Sequence, residues 1–211
     1  MIKLLVFDFD GTLADTKDVV SGVLLNILKQ KKYNISSEII SKNIGRAPIG
    51  KTLEHIGVKR EDIGEIEQLY FMQMKPKMHH IKPAGNIDIL DKINSSKIII
   101  SNNTNELIEI VLKSWKKNSF KEVFGTDGVS SKVGIFKKAT EKYKVQGKEI
   151  AYFGDLDLDV RLAKEVGCHS VAVSNKYSWG TRAELIKAKP DFLIKDWNEA
   201  PHLIEKLNQI K

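Results

Sequence analysis

Three short polar stretches each follow directly on a run of apolar residues. Leu4-Leu5-Val6-Phe7 gives way to Asp8-Phe9-Asp10-Gly11-Thr12, Ile98-Ile99-Ile100 to Ser101-Asn102-Asn103, and Ile150-Ala151-Tyr152-Phe153 to Gly154-Asp155. Apolar runs without alternation suit strands buried on both faces of a parallel sheet. A buried strand that ends in acids carries a cost, because a desolvated carboxylate is unfavourable unless a cation or donors compensate it. Asp8 and Asp10 are two apart and point to the same side of an extended backbone. Gly11 can then turn the chain with φ > 0 and let a ligand approach the main chain. Carboxylates with hydroxyl and amide donors suit phosphoryl transfer, and the carboxyl edge of an open α/β sheet is where such folds bind ligands.

The elements that must position these groups are legible in outline. Residues 17–32 repeat Val19-Val20, Val23-Leu24 and Ile27-Leu28 at helical spacing. Ser36-Ser37-Glu38 can cap a short helix carrying Ile39, Ile40 and Ile44, and helical patterns continue at Ile49, Leu53, Ile56 and at Ile63, Ile66, Leu69, Tyr70. No strand-like run occurs between residue 14 and about residue 95. Residues 15–82 therefore read as an all-α insertion, closed by Pro83-Ala84-Gly85, in a core formed by residues 1–14 and 83–211. From there helix and strand alternate: a helical face at Ile87, Leu90, Ile93, a strand over 97–100, a helix at Leu107 to Trp115, a short strand at Val123-Phe124 and a helix at Phe136, Ala139, Tyr143. Strands over 150–153, 170–173 and 192–194 and a final helix near 199–209 follow. This alternation predicts an α/β fold, a doubly wound parallel sheet with a Rossmann-like core.

The motifs resemble those of the haloacid dehalogenase-like superfamily over nearly the whole chain. Asp8-Phe9-Asp10-Gly11-Thr12 is similar to its first motif, Ser101 after Ile98-Ile99-Ile100 to its second, and Lys132, lying 23 residues before Asp155, to its third. Gly154-Asp155-Leu156-Asp157-Leu158-Asp159 fits the fourth, G-D-x-x-x-D. Phosphoglycolate phosphatase-like and β-phosphoglucomutase-like members carry a helical cap directly after the first motif. Gly45-Arg46-Ala47-Pro48 with Leu53 and Gly57 resembles that cap, and Trp179-Gly180 a late loop. The resemblance implies a Mg²⁺-dependent phosphatase acting on a small phosphomonoester, of phosphoglycolate or sugar-phosphate type, through an aspartyl phosphate. A phosphomutase, which returns the phosphoryl group to a sugar, is the alternative. It also implies roles. Asp8 is the nucleophile and Asp10 the general acid and base. Asp8, the Asp10 carbonyl and Asp155 hold the metal, and Asp159 stands behind them, orienting Lys132 or a metal-bound water. Ser101, Asn102, Gly11 and Thr12 hold the phosphoryl oxygens, and Lys132 balances charge. Arg46 and Lys51 in the cap select the substrate. Read alone, Ser101 is as well suited to capping a helix that begins near Asn105, and Asp157 could cap a helix or replace a ligand.

Several classes are disfavoured. Gly45 to Thr52 matches the P-loop expression G-x-x-x-x-G-K-[ST], but a P-loop needs a buried strand before it, and Ser37 to Ile44 reads as a helix. The net charge of +7 comes mostly from lysine, with four arginines and no basic run interleaved with aromatics, so nucleic acid is not an expected partner. No apolar run approaches the ~20 residues that cross a bilayer. Neither a signal segment nor a cysteine pair is evident, since Cys168 stands alone, which makes a cytoplasmic monomer or homodimer the expectation.

Overall fold

The computed structural model describes residues 1–125 and 131–209. Its centre is β1 (Leu4–Phe7), every residue of which is buried. β4 (Ser96–Ser101) and β6 (Ile150–Gly154) pair with β1 in parallel on either side, with Phe7 level with Ile99 and with Phe153. Sequence does not give strand order; the sheet runs β5 (Glu122–Gly125), β4, β1, β6, β7 (His169–Val173), β8 (Phe192–Ile194). The three strands that end in polar residues are thus neighbours, and their carboxyl ends meet.

The unalternating apolar run of β1 is explained by its two covered faces. Leu4 and Val6 pack with Ile98, Ile100, Ile150 and Tyr152 under α6 (Lys132–Tyr143) and α7 (Asp157–Glu165). Leu5 and Phe7 face the other way, with Ile99, Phe153 and Trp197, toward α5 (Asn105–Ser114) and α9 (Ala200–Gln209). Phe7 stacks on Phe153 with ring centres 4.9 Å apart, and Trp197 lies 5.8 Å from both. α8 (Arg182–Ala188) covers Val160 and Ala172 at the β8 edge through Leu185.

Between the two-residue strands β2 (Ala14–Asp15) and β3 (Lys82–Pro83), which pair antiparallel, stand four helices: α1 (Lys17–Gln30), α2 (Ser37–Asn43), α3 (Ile49–His55) and α4 (Arg60–Met78). Apolar residues at helical spacing, among them Val23, Leu24, Ile27, Ile40, Leu53, Ile66 and Met74, close their shared interior. Two indoles grip the ribbon that joins this block to the sheet. Trp115 Nε1 donates to the Ile81 carbonyl at 2.7 Å and Trp197 Nε1 to that of Ala84 at 3.0 Å. Among the described residues no helix is long and apolar enough to cross a membrane.

Three local readings change. The helical face expected at Ile87, Leu90 and Ile93 is a 3₁₀ helix over residues 87–92. The helix after β4 is capped by Thr104, which accepts from Leu107 N–H, so Ser101 is free of that task. β2 and β3 are too short to leave a period of 2 in the sequence. The P-loop-like segment follows α2, a helix, and lacks the strand that a phosphate cradle requires.

Candidate active site

Asp8, Asp10 and Asp155 follow the ends of strands, and Asp159 comes from α7. Asp8 continues β1 and its N–H donates to the Phe153 carbonyl at 2.8 Å, which fixes the backbone while the carboxylate emerges at the edge. Gly11 takes φ +76°, and a Cβ there would stand 2.4 Å from Asp155 Oδ2 and 2.5 Å from Trp179 Cδ1. Only glycine fits that turn. Asp155 follows β6 and is fully buried; Thr12 Oγ1 donates to its Oδ1 at 2.9 Å and the Trp179 N–H to its Oδ2 at 2.5 Å.

Lys132, the first residue of α6, donates from Nζ to Asp8 Oδ1 at 2.7 Å and to Asp159 Oδ1 at 3.1 Å. Tyr152 O–H also donates to Asp159 Oδ1, at 2.8 Å, and the Leu156 N–H to Asp159 Oδ2 at 3.1 Å. Asp159 therefore accepts from three donors and acts as the bracket that points Lys132 at Asp8. Gly154 makes room for it, since a Cβ there would lie 2.4 Å from the Asp159 side chain.

Asp10 points elsewhere. Asn103 Nδ2 donates to its Oδ2 at 3.2 Å, and Oδ1 is buried without a hydrogen-bond partner. Ser101 Oγ accepts from the Asn103 N–H at 3.1 Å, and Asn102 Nδ2 donates to the Gly45 carbonyl in the helical block at 3.1 Å. Asp8, Asp10, Ser101, Asn102 and Asn103 border one small cavity, roofed by the helical block.

Burial dominates the electrostatics. It raises the Asp8 carboxyl well above its usual range, with Asp159 and Asp155 adding repulsion against the pull of Lys132. It raises Asp10, which the Asn103 amide offsets in part; Thr16 lies close enough to weigh against the rise but makes no hydrogen bond of normal geometry. It pushes Asp155 up to about 7, with the Asp159 charge adding to it. Burial opposes the charge of Lys132 too, yet Asp159 and Asp8 hold its pKa above the ordinary 10.5.

These acids fit a hard divalent cation. Carboxylate oxygens of Asp8, Asp155 and Asp159 lie within 4.8 Å of one another, and Lys132 alone does not balance them. A cation that prefers oxygen ligands would relieve the raised carboxyls of Asp8 and Asp155. The clustered carboxylates include Asp159 and leave out that of Asp10, whose expected contribution is its carbonyl.

The other sequence-derived candidates lie around this centre in different ways. Thr12 spends its hydroxyl on Asp155. Arg46 does not line the cavity: Nη1 donates to Asp157 at 2.7 Å and Nη2 to Glu184 at 3.3 Å, tying the helical block to α7 and α8. Lys51 is exposed on α3 and borders, with Arg46, Lys132 and Arg161, an adjoining groove that shares Gly45, Ala47, Asn102 and Leu156 with the cavity. Asp157, first residue of α7, pairs with Arg46 and Arg161. Asn103, Tyr70, Tyr152 and Trp179 were not among the expected site residues. Asn103 closed a polar run already singled out, whereas Tyr152 and Tyr70 read as core.

Comparison with known proteins bears on the family and the fold. A candidate pyrophosphatase, PpaX, of Clostridium perfringens is 27% identical, the match covering 99% of this chain and all of that one. A phosphoglycolate phosphatase of Vibrio parahaemolyticus is 23% identical over 94% of each chain. The fold superposes on a predicted phosphatase of Clostridium acetobutylicum with a TM-score of 0.85 at 20% identity, over 98% of this chain and 99% of that one. The family model of the haloacid dehalogenase-like hydrolases matches residues 5–173, from β1 through β7, and the chain belongs to that family.

Proposed function

We propose that the chain is a Mg²⁺-dependent phosphatase of small phosphomonoesters, the class that includes phosphoglycolate and sugar phosphates, with residues 15–82 serving as its cap. The observation that carries the reading is the pairing of Asp8 and Asp10 on one cavity: Lys132 steadies one Asp8 oxygen, and Asp10 keeps a buried oxygen unpaired. The phosphatase names of the curated relatives support it.

The mechanism follows from what each group can hold. The free oxygen of Asp8 attacks phosphorus, and the bond to the ester oxygen breaks. Asp10, whose carboxyl burial raises above its usual range, gives its proton to the departing alkoxide. The Asp10 carboxylate then takes a proton from water, whose oxygen attacks the aspartyl phosphate and returns Asp8 with inorganic phosphate. Lys132 offsets the charge that accumulates between Asp8 and the phosphoryl group, and Ser101 and Asn102 orient its oxygens; Gly11 and Thr12, expected to share that task, commit their main-chain N–H groups to the Ala14 and Phe9 carbonyls. Mg²⁺, held by Asp8, Asp155 and the Asp10 carbonyl, supplies positive charge to the phosphoryl oxygens when bound.

The test is phosphate release from a panel of phosphomonoesters, with and without Mg²⁺; no release from any of them sinks the proposal. Asp10→Asn isolates the proton transfer. Its kcat on an alkyl phosphate should fall ~10²–10⁴-fold. The fall on p-nitrophenyl phosphate should be smaller, because that leaving group departs without a proton. Equal losses on both would remove Asp10 from the acid's role.

A further inference from the structure

The cavity shared by Asp8 and Asp10 encloses about 50 Å³, and its two walls differ in kind. The sheet side presents the acids and the run from Ser101 to Asn103. The cap side presents Val20, Ile44, Ile49 and Phe71 with Thr52 and Tyr70. Thr52 spends its hydroxyl on the Ala47 carbonyl at 3.1 Å. No Lys, Arg or His lines the cavity among the described residues, and residues 126–130 contain none. Of the bases on the adjoining groove, Arg46 is committed to Asp157 and Glu184, Arg161 to Asp157 and Lys132 to Asp8 and Asp159, while Lys51 stands exposed on α3 outside the cavity lining.

Trp179 adds a second observation. Its ring lines the cavity and closes against Gly45, where a Cβ would lie 2.4 Å from the ring. Trp115 and Trp197 give their indole N–H groups to carbonyls, whereas Trp179 Nε1 is buried with no acceptor. A buried donor left unmet is destabilising until an acceptor arrives.

Resting on the phosphatase reading, we propose that the substrate's leaving group is a small uncharged body bearing a hydroxyl, seated between Asp10 and the apolar cap wall, with the Trp179 indole N–H donating to its oxygen. A carboxylate or a second phosphate in that place would be desolvated against Val20, Ile49 and Phe71 with no cation in the cavity lining to offset it. A hydroxyl is cheaper to desolvate and accepts from Nε1.

The experiment compares 2-hydroxyethyl phosphate with 2-phosphoglycolate, which differ by a hydroxymethyl in place of a carboxylate, alongside ethyl phosphate, pyrophosphate and p-nitrophenyl phosphate, all with Mg²⁺. The hydroxyethyl ester should exceed phosphoglycolate in kcat/KM by ~10-fold or more. Trp179→Phe keeps the main-chain N–H that meets Asp155. It should lower the ratio of kcat/KM for 2-hydroxyethyl over ethyl phosphate by ~10-fold. Phosphoglycolate or pyrophosphate turned over as well as the hydroxyethyl ester overturns the inference, as does a ratio that Trp179→Phe leaves unmoved. Silence toward every ester, p-nitrophenyl phosphate included, removes the phosphatase reading itself and the inference with it.

Discussion

Asp8→Asn is expected to leave less than ~10⁻⁴ of the wild-type kcat, measured as phosphate release from p-nitrophenyl phosphate. That ester's leaving group departs without a proton from Asp10, so the loss reports Asp8 as nucleophile and metal ligand apart from the acid step. An amide is a poor nucleophile and offers a cation less charge, but it keeps the shape of the carboxylate. Lys132 loses its 2.7 Å partner and retains Asp159. Because burial penalises the Asp8 charge, the amide relieves one destabilising feature as it removes the ion pair. The metal-free variant should therefore melt at pH 8 no lower than wild type. A folded variant with a tenth of the activity would mean that some other group attacks phosphorus.

Metal and pH should act on stability through the same acids, in opposite directions. Asp155 has a folded pKa raised to about 7 from 3.8. Its contribution to stability is then full below 3.8 and is lost as pH rises through about 7. Asp8 and Asp10 are raised as well and act with the same sign. The rise of Lys132 matters only above 10.5 and leaves this window alone. The Asp155 shift corresponds to on the order of 4 kcal/mol between pH 4 and pH 8, a fall in metal-free Tm on the order of 10 °C for a chain of this size. Mg²⁺ should recover much of it at pH 8, since a cation bound only by the folded state adds its binding free energy. Asp155→Asn should raise the metal-free Tm at pH 8 and erase most of the Mg²⁺ effect. A scanning calorimeter decides: a metal-free Tm that climbs from pH 5 to pH 8, or an undiminished Mg²⁺ shift in the variant, contradicts the account.

The parts of this site legible in sequence are those whose chemistry conflicts with their surroundings. An apolar run that stops at Asp8 and Asp10, or at Gly154-Asp155, announces itself because burying an acid is unfavourable. Tyr152 does not, because within Ile150 to Phe153 an aromatic residue is what a core strand contains; its hydroxyl matters only once β6 lies beside β1 and α7 brings Asp159 back over it. Trp179 was visible as part of a loop, yet an unmet N–H is a property of packing, and no spacing encodes it. Arg46 shows the converse. Its charge drew notice, but the chain spends that charge on Asp157 and Glu184, more than a hundred residues away, a pairing fixed by how the helical block lies on the sheet. The alternation of helix and strand was readable from period alone, whereas the order β5-β4-β1-β6-β7-β8 depends on long-range contacts.

The placement of the three indoles makes the protein its own optical probe. Trp115 and Trp197 hold the carbonyls on either side of the ribbon at Ile81 and Ala84, and Trp179 forms part of the cavity wall. All of the chain's tryptophan emission thus originates along the seam between the helical block and the sheet. A change in intensity, or in quenching by a small solute, reports on that seam without an attached label, so the arrival of an ester beside Trp179 can be followed by stopped flow in the unmodified enzyme.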